Sequence, residues 1–284
     1  MNATIALFGI GFVARLFMML VSNLLFRHRA QISLQSGLIR VTIPTNMKWS
    51  PGMHIFIRFA HIRPFESHPF TIASIPSTEA DGRNEMVFII RPETGFTHVL
   101  AEVAAKSSPD RKSPVILDGP YGETGVNQLR AYDSVLLLAG GTGITFIVPL
   151  LVDLVSAMKL KDGPCRKVDI FWAVKSYGEQ RSCSRGNTGA HPNPVDAVKS
   201  WESQFGEMKT AASLAGGIVA VNVCVTGASG DKERSLDTPV EKEVMEGETA
   251  SEKVSPTSGR PDIPSIVAER ARTWSGHVGV AGKF

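Results

Sequence analysis

The stretch SVLLLAGGTGITFIVPLLVDLVSAMK, Ser134 to Lys159, limits the possible folds more than any other part of the chain. Val135 to Ala139 are apolar without a polar break, as in a strand covered on both faces. Three glycines in four positions, Gly140, Gly141 and Gly143, then turn the chain into a long apolar segment that reads as a helix. The alternation continues. KVDIFWAVKS is a strand, PVDAVKSWESQFGEMKTAA a helix, IVAVNVCVTG a strand, DIPSIVAERARTW a helix and HVGVAGKF a last strand. Strands alternating with helices predict a parallel sheet with crossover helices.

Residues 30–120 have a different character. LIRVTI alternates Leu38, Arg40 and Thr42 against Ile39, Val41 and Ile43. MHIFIRF and EMVFIIRP are further strands, with turns at KWSPG and TEADGRN. Short, regularly punctuated strands predict a small antiparallel barrel, with GFTHVLAEVAAK as its one helix and PVILDGPYG at its close. The expected fold class is α/β plus β: an antiparallel barrel over 29–124, then a parallel-sheet α/β domain over 130–284. Residues 178–194 and 228–259 have the polar composition of loops or disorder.

Residues 1–28 stand apart. From Ala3 to Phe26 the only charge is Arg15. Twenty-four helical residues at about 1.5 Å each reach roughly 36 Å, enough to cross a bilayer. Arg27 and Arg29 follow the apolar run, the reverse of a signal peptide, and put the bulk of the chain in the cytosol by the positive-inside rule. The expectation is one transmembrane helix with the lipid bilayer as partner; a buried or membrane-surface helix is the alternative. The net charge of +3 gives no reason to expect a nucleic-acid partner. Cys165, Cys183 and Cys224 have no paired spacing, which argues against a zinc site or a disulfide framework, and no metal ligand is assigned.

Four motifs carry candidate chemistry. HPFTIAS, His68 to Ser74, places His68, Phe70, Ile72 and Ser74 on one face of a strand and Pro69, Thr71 and Ala73 on the other; it also reads as an ordinary strand. RPETGFT can bind a pyrophosphate at a helix start or simply cap the helix through Thr97. AGGTGIT can bring its backbone to an anion at a helix N-terminus or be a plain tight turn, and its spacing is not GxGxxG. VTGASG suggests a short-chain dehydrogenase, but Tyr121, Tyr132 and Tyr177 are followed four residues on by Gly125, Leu136 and Arg181, never by the lysine such chemistry needs.

The order HPFTIAS, RPETGFT, DGPYG, AGGTGIT resembles the ferredoxin–NADP reductase superfamily, and most closely the cytosolic half of the fungal ferric reductase and NADPH oxidase family. The resemblance implies FAD and NADPH as cofactors. It implies that Phe70 stacks on the isoalloxazine, that Thr71 hydrogen-bonds the redox-active nitrogen as the catalytic contact, and that Pro69 fixes the backbone between them. His68 and Ser74 would face the ribityl and phosphate part of FAD, and Gly95, Phe96 and Thr97 match its pyrophosphate turn. Gly140, Gly141, Thr142, Gly143 and Thr145 match the NADPH loop. The segment GRP, Gly259 to Pro261, matches the adenosine-phosphate region. Arg260, with Lys175 after the strand IFWAV, offers charge for a 2′-phosphate, hence NADPH over NADH.

Two departures accompany the resemblance. The family's haems are held by histidines of a membrane bundle, and none of this chain's seven histidines lies between residues 3 and 26, so no haem is expected on it. Where the family continues into a Cys-Gly-Pro turn, this chain reads AGKF, and it is expected to be truncated at both ends relative to the family. The implied function is plasma-membrane ferric-chelate reduction, NADPH to FAD to a haem-bearing membrane partner to ferric iron. A superoxide-producing NADPH oxidase and a non-catalytic fragment that binds a full-length reductase are the alternatives.

Overall fold

The computed structural model describes residues 28–175 apart from 36, 77–83, 107–111 and 123–125, together with 202–215, 218–226, 257–258, 261–283 and, near the N-terminus, 6–7, 9–14 and 17. The chain divides into two compact units, Met1–Leu129 with Thr142–Leu154, and Arg130–Gly141 with Val155–Phe284.

In the first unit, β1 (Arg29–Gln35), β2 (Leu38–Thr45), β3 (His54–Phe59), β4 (His68–Thr71), β5 (Asn84–Ile90) and β6 (Lys112–Tyr121) form an antiparallel sheet of order β4-β3-β6-β1-β2-β5. Its two end strands meet: Ala73 N, just past β4, donates to Val87 O of β5 at 2.8 Å, and the sheet curls into a barrel. The strands alternate as the sequence expects. In β3, Ile55, Ile57 and Phe59 are buried while His54, Phe56 and Arg58 are half-buried. The inward residues join Ile39, Val41, Ile43, Met86, Phe88 and Leu117 in one apolar core, capped by Phe96 and Leu100 of helix α1 (Phe96–Lys106). The strand expected over HPFTIAS ends at Thr71, because the next residues turn to meet β5.

A short helix, α2 (Val126–Leu129), follows. In the second unit, β7 (Ser134–Gly140), β8 (Lys167–Lys175), β9 (Ile218–Thr226), β10 (Thr257–Ser258) and β11 (Val278–Lys283) form a parallel sheet of order β10-β9-β8-β7-β11. β7 is buried from Ser134 to Ala139, as its unbroken apolar run requires. Helix α3 (Ile144–Leu160) follows β7, α4 (Glu202–Leu214) precedes β9 and α5 (Ile263–Thr273) precedes β11. Thr257 and Ser258, inside the stretch expected to be disordered, pair as β10 with Cys224 and Val225. The rest of 228–259, the loop 178–194 and the first part of the PVDAV helix lie outside the described residues.

One described helix, Gly141–Leu160, is long and apolar enough to cross a membrane, yet two-thirds (67%) of it is buried inside the protein, as in a core helix. The described residues of the N-terminal run are helical, and Leu7, Ile10, Phe12, Val13 and Phe17 each expose at least 60% of their surface.

Candidate functional site

On the barrel, the strand HPFT and the turn RPETGFT come together through two rings. His68 of β4 stacks on Phe96 at the start of α1, with centroids 4.1 Å apart and planes 15° from parallel. Phe96 also meets Phe59 of β3 at 5.6 Å, so the stack is anchored in the core. Glu66 Oε2 lies 3.2 Å from His68 Nε2. The register places His68 opposite Ile57 and Phe70 opposite Ile55, both isoleucines fully buried. Phe70 therefore leans inward, half-buried against the core. Pro69 and Thr71 lie on the other face, opposite Phe56 and His54. β4 ends at Thr71, so a ligand can wrap the strand's end and meet both faces.

The turn before α1 is shaped for an anion. Gly95 has φ +74°, a left-handed conformation that favours glycine, and nothing lies within 4 Å of where a Cβ would stand. The first turn of α1 holds no acidic residue. The N–H groups of Phe96, Thr97 and His98 precede the first helical bond, Val99 N to Gly95 O at 3.3 Å. Thr97 Oγ1 accepts from Glu93 N at 2.9 Å; Glu93 lies before α1, so the hydroxyl closes the turn ahead of the helix, and its proton is left to donate outward.

Ser74 has a structural duty. Its hydroxyl donates to Glu85 O at 2.8 Å and accepts from Val87 N at 3.1 Å, while its carbonyl accepts from Trp49 Nε1 at 2.8 Å. It closes the barrel and has no hydroxyl proton to spare for a ribityl or phosphate oxygen. No local pattern signals this, because the partners are 11 and 13 residues away.

Sequence reasoning also passed over a row of side chains beside Thr71. His54 faces Thr71 on one side and Tyr121 on the other across the sheet. His54, Phe56 and Tyr121 form a half-buried aromatic patch with centroid spacings of 5.8, 6.2 and 6.0 Å. The Tyr121 hydroxyl donates to Asp118 Oδ1, and the Gly119–Pro120 bond between them is cis. The signal was the outward half of MHIFIRF, aromatic where a solvated face would be polar.

The glycine loop leaves the C-terminal end of β7. β8 and β11 flank β7 on opposite sides, so the strand order reverses there, and such switch points are where open parallel sheets bind ligands. Gly141 has φ +50°, and the space where its Cβ would stand is open. Gly141–Gly143 form a 3₁₀ turn into α3, Gly143 is buried, Thr142 is exposed, and Thr145 Oγ1 donates to Thr142 O at 2.9 Å. The donor set, backbone N–H groups and hydroxyls without a carboxylate, suits a phosphate. Lys175 closes β8 opposite Thr226, whereas Arg260 lies outside the described residues.

Residues 26–125 match the family described as an FAD-binding domain, and residues 132–185 match the ferric reductase NAD binding domain. The probable cell surface ferric reductase kap2 of Aspergillus oryzae is 33% identical over 185 residues, 61% of this chain and 24% of that protein. Over these matched residues the chain is homologous to the fungal ferric reductases. Ferric reductase transmembrane component 5 of Saccharomyces cerevisiae is 29% identical over 49% of this chain and 20% of its own length. The chain thus spans about a quarter or less of these curated relatives. Among solved structures, the Amycolatopsis cytochrome P450 reductase GcoB is 13% identical, with a TM-score of 0.49 over 90% of this chain and 60% of that one.

The chain thus carries an FAD-binding part followed by an NAD(P)-binding part, a domain pair that indicates an oxidoreductase. The open space at Gly95 and Gly141 and the uncharged donors around them fit two anionic cofactors.

Proposed function

We propose that the chain is the FAD/NADPH module of a membrane-bound ferric-chelate reductase, feeding electrons to a haem-bearing membrane partner and from it to ferric iron. The stack of His68 on Phe96 carries this reading, since it joins the two flavin motifs, 28 positions apart, in one site. Bound FAD would supply the conversion of hydride from NADPH into single-electron transfer. The protein's share is positional. Phe70 offers the exposed side of its ring at the end of β4, Thr71 a hydroxyl on the opposite face, and Gly95 to Thr97 a helix start for the pyrophosphate. Gly140 to Thr145 hold the dinucleotide, with Arg260 and Lys175 favouring the 2′-phosphate of NADPH. The exposed apolar N-terminal run anchors the module, with its bulk in the cytosol at the plasma membrane.

The decisive experiment is an absorbance spectrum of the full chain purified in detergent and incubated with FAD, followed by anaerobic addition of NADPH or NADH. Flavin bound, then bleached faster by NADPH, is the expected result. A chain that cannot be loaded with FAD overturns the reading, and equal bleaching by both nucleotides removes the NADPH assignment.

A further inference from the structure

Trp172 sits fully buried in the middle of β8, opposite Ala139 of β7. Its Nε1–H donates to Gly141 O at 3.0 Å, reaching one residue past the end of β7 into the glycine loop. We propose that Trp172 is a positioning residue for the nucleotide pyrophosphate, holding the glycine loop with its N–H groups turned outward. The inference rests on the reading of that loop as the nucleotide site.

In a trans peptide unit the C=O and the N–H point in opposite directions. A Gly141 carbonyl drawn in by the indole therefore turns the Thr142 N–H away from the sheet. The next carbonyl, Thr142 O, is tied by the hydroxyl of buried Thr145 at 2.9 Å, which aims the Gly143 N–H back past the start of α3. Gly141, at φ +50°, opens the 3₁₀ turn Gly141–Gly143, and successive backbone N–H groups in such a turn can converge on an anion. Phenylalanine would fill the same place in the core, but without a donor for a loop carbonyl beyond the sheet's own ladder.

The test is Trp172→Phe in the full, FAD-loaded chain, using ADP-ribose, which carries the pyrophosphate, and adenosine 2′-phosphate, which lacks it. The loss of one hydrogen bond predicts about tenfold weaker ADP-ribose binding and an unchanged limiting rate of flavin bleaching at saturating NADPH. Adenosine 2′-phosphate should bind as it does to the wild type. Equal loss for both ligands would mean general damage to the sheet, and no loss for either would mean that the indole only packs; both outcomes overturn the proposal. Thr145→Val, which frees the next carbonyl, should give the same selective pattern and decides the question if Trp172→Phe does not fold. A wild type that binds neither ligand overturns instead the nucleotide-site reading.

Discussion

Phe96 bears on both folding and binding. It is 7% exposed, packs on Phe59 and backs the ring of His68. Phe96→Ala should cost about 3–5 kcal/mol of stability, the usual range for emptying a buried phenylalanine site. FAD should be lost as well, because His68 then has no ring to hold it in place. Thermal unfolding and flavin content measured on one preparation check this; full flavin retention would show that the stack is not part of the site. Gly141→Ala tests the second loop. Holding alanine at φ +50° costs about 1 kcal/mol or more, and the new Cβ stands in the space left for a phosphate. The expected outcome is a small drop in melting temperature with a much larger loss of NADPH affinity, read by titration. At this scale the sequence was legible where a motif is contiguous, as in GGTGIT. It was not legible for Ser74, Trp172 or the row His54–Tyr121, whose meaning depends on partners in other strands.

Among the elements, β11 and α5 are held to the sheet by features that no local pattern displays. Gly279 of β11 lies opposite Val135 of β7, and a Cβ there would come within 2.7 Å of the Tyr132 ring. Gly279→Ala should therefore loosen β11 and lower the melting temperature, while Val280→Ala, half-exposed on the same strand, should do little. Helix α5 is tied to β8 by an ion pair, with Arg270 Nε 2.8 Å from Asp169 Oδ2. Burial pushes the Asp169 carboxyl above its ordinary value, against the attraction of Arg270 and Lys167. The folded state therefore keeps a proton that the unfolded state has lost, and this group's share of stability falls as pH rises from about 4 through the raised folded value. Comparing melting temperatures of wild type and Asp169→Asn across that range should show the wild type losing ground as pH rises. A difference that is flat or grows with pH would contradict the direction of the shift. The element types followed from periodicity, strand against helix. β1 and β10 did not stand out, the first because Arg29–Gln35 is largely polar on its outer face, the second because two residues carry no period.

For the whole molecule, the question is what the N-terminal run does. Two apolar segments compete for the role of membrane span, and burial of their described residues separates them. Gly141–Leu160 is spent on the protein's own interior, whereas Leu7, Ile10, Phe12, Val13 and Phe17 face outward. Five large apolar side chains within eleven residues, each mostly exposed, form a surface that water disfavours by about 25 cal/mol for every Å². A bilayer would remove that cost, and Arg27 and Arg29, following the apolar run, predict by the positive-inside rule that the adjoining chain lies on the cytosolic side. In sealed vesicles the chain should resist extraction by alkaline carbonate. Protease added from the non-cytosolic side should leave residues 30–284 intact, and protease added from the cytosolic side should digest them. Lys substituted for Phe12 should release the chain from the membrane, since a charge there costs about 3 kcal/mol at the centre of a span, while flavin binding in the barrel persists. Release of the unsubstituted chain by carbonate would show that the run lies on the membrane or against a protein partner and does not cross it.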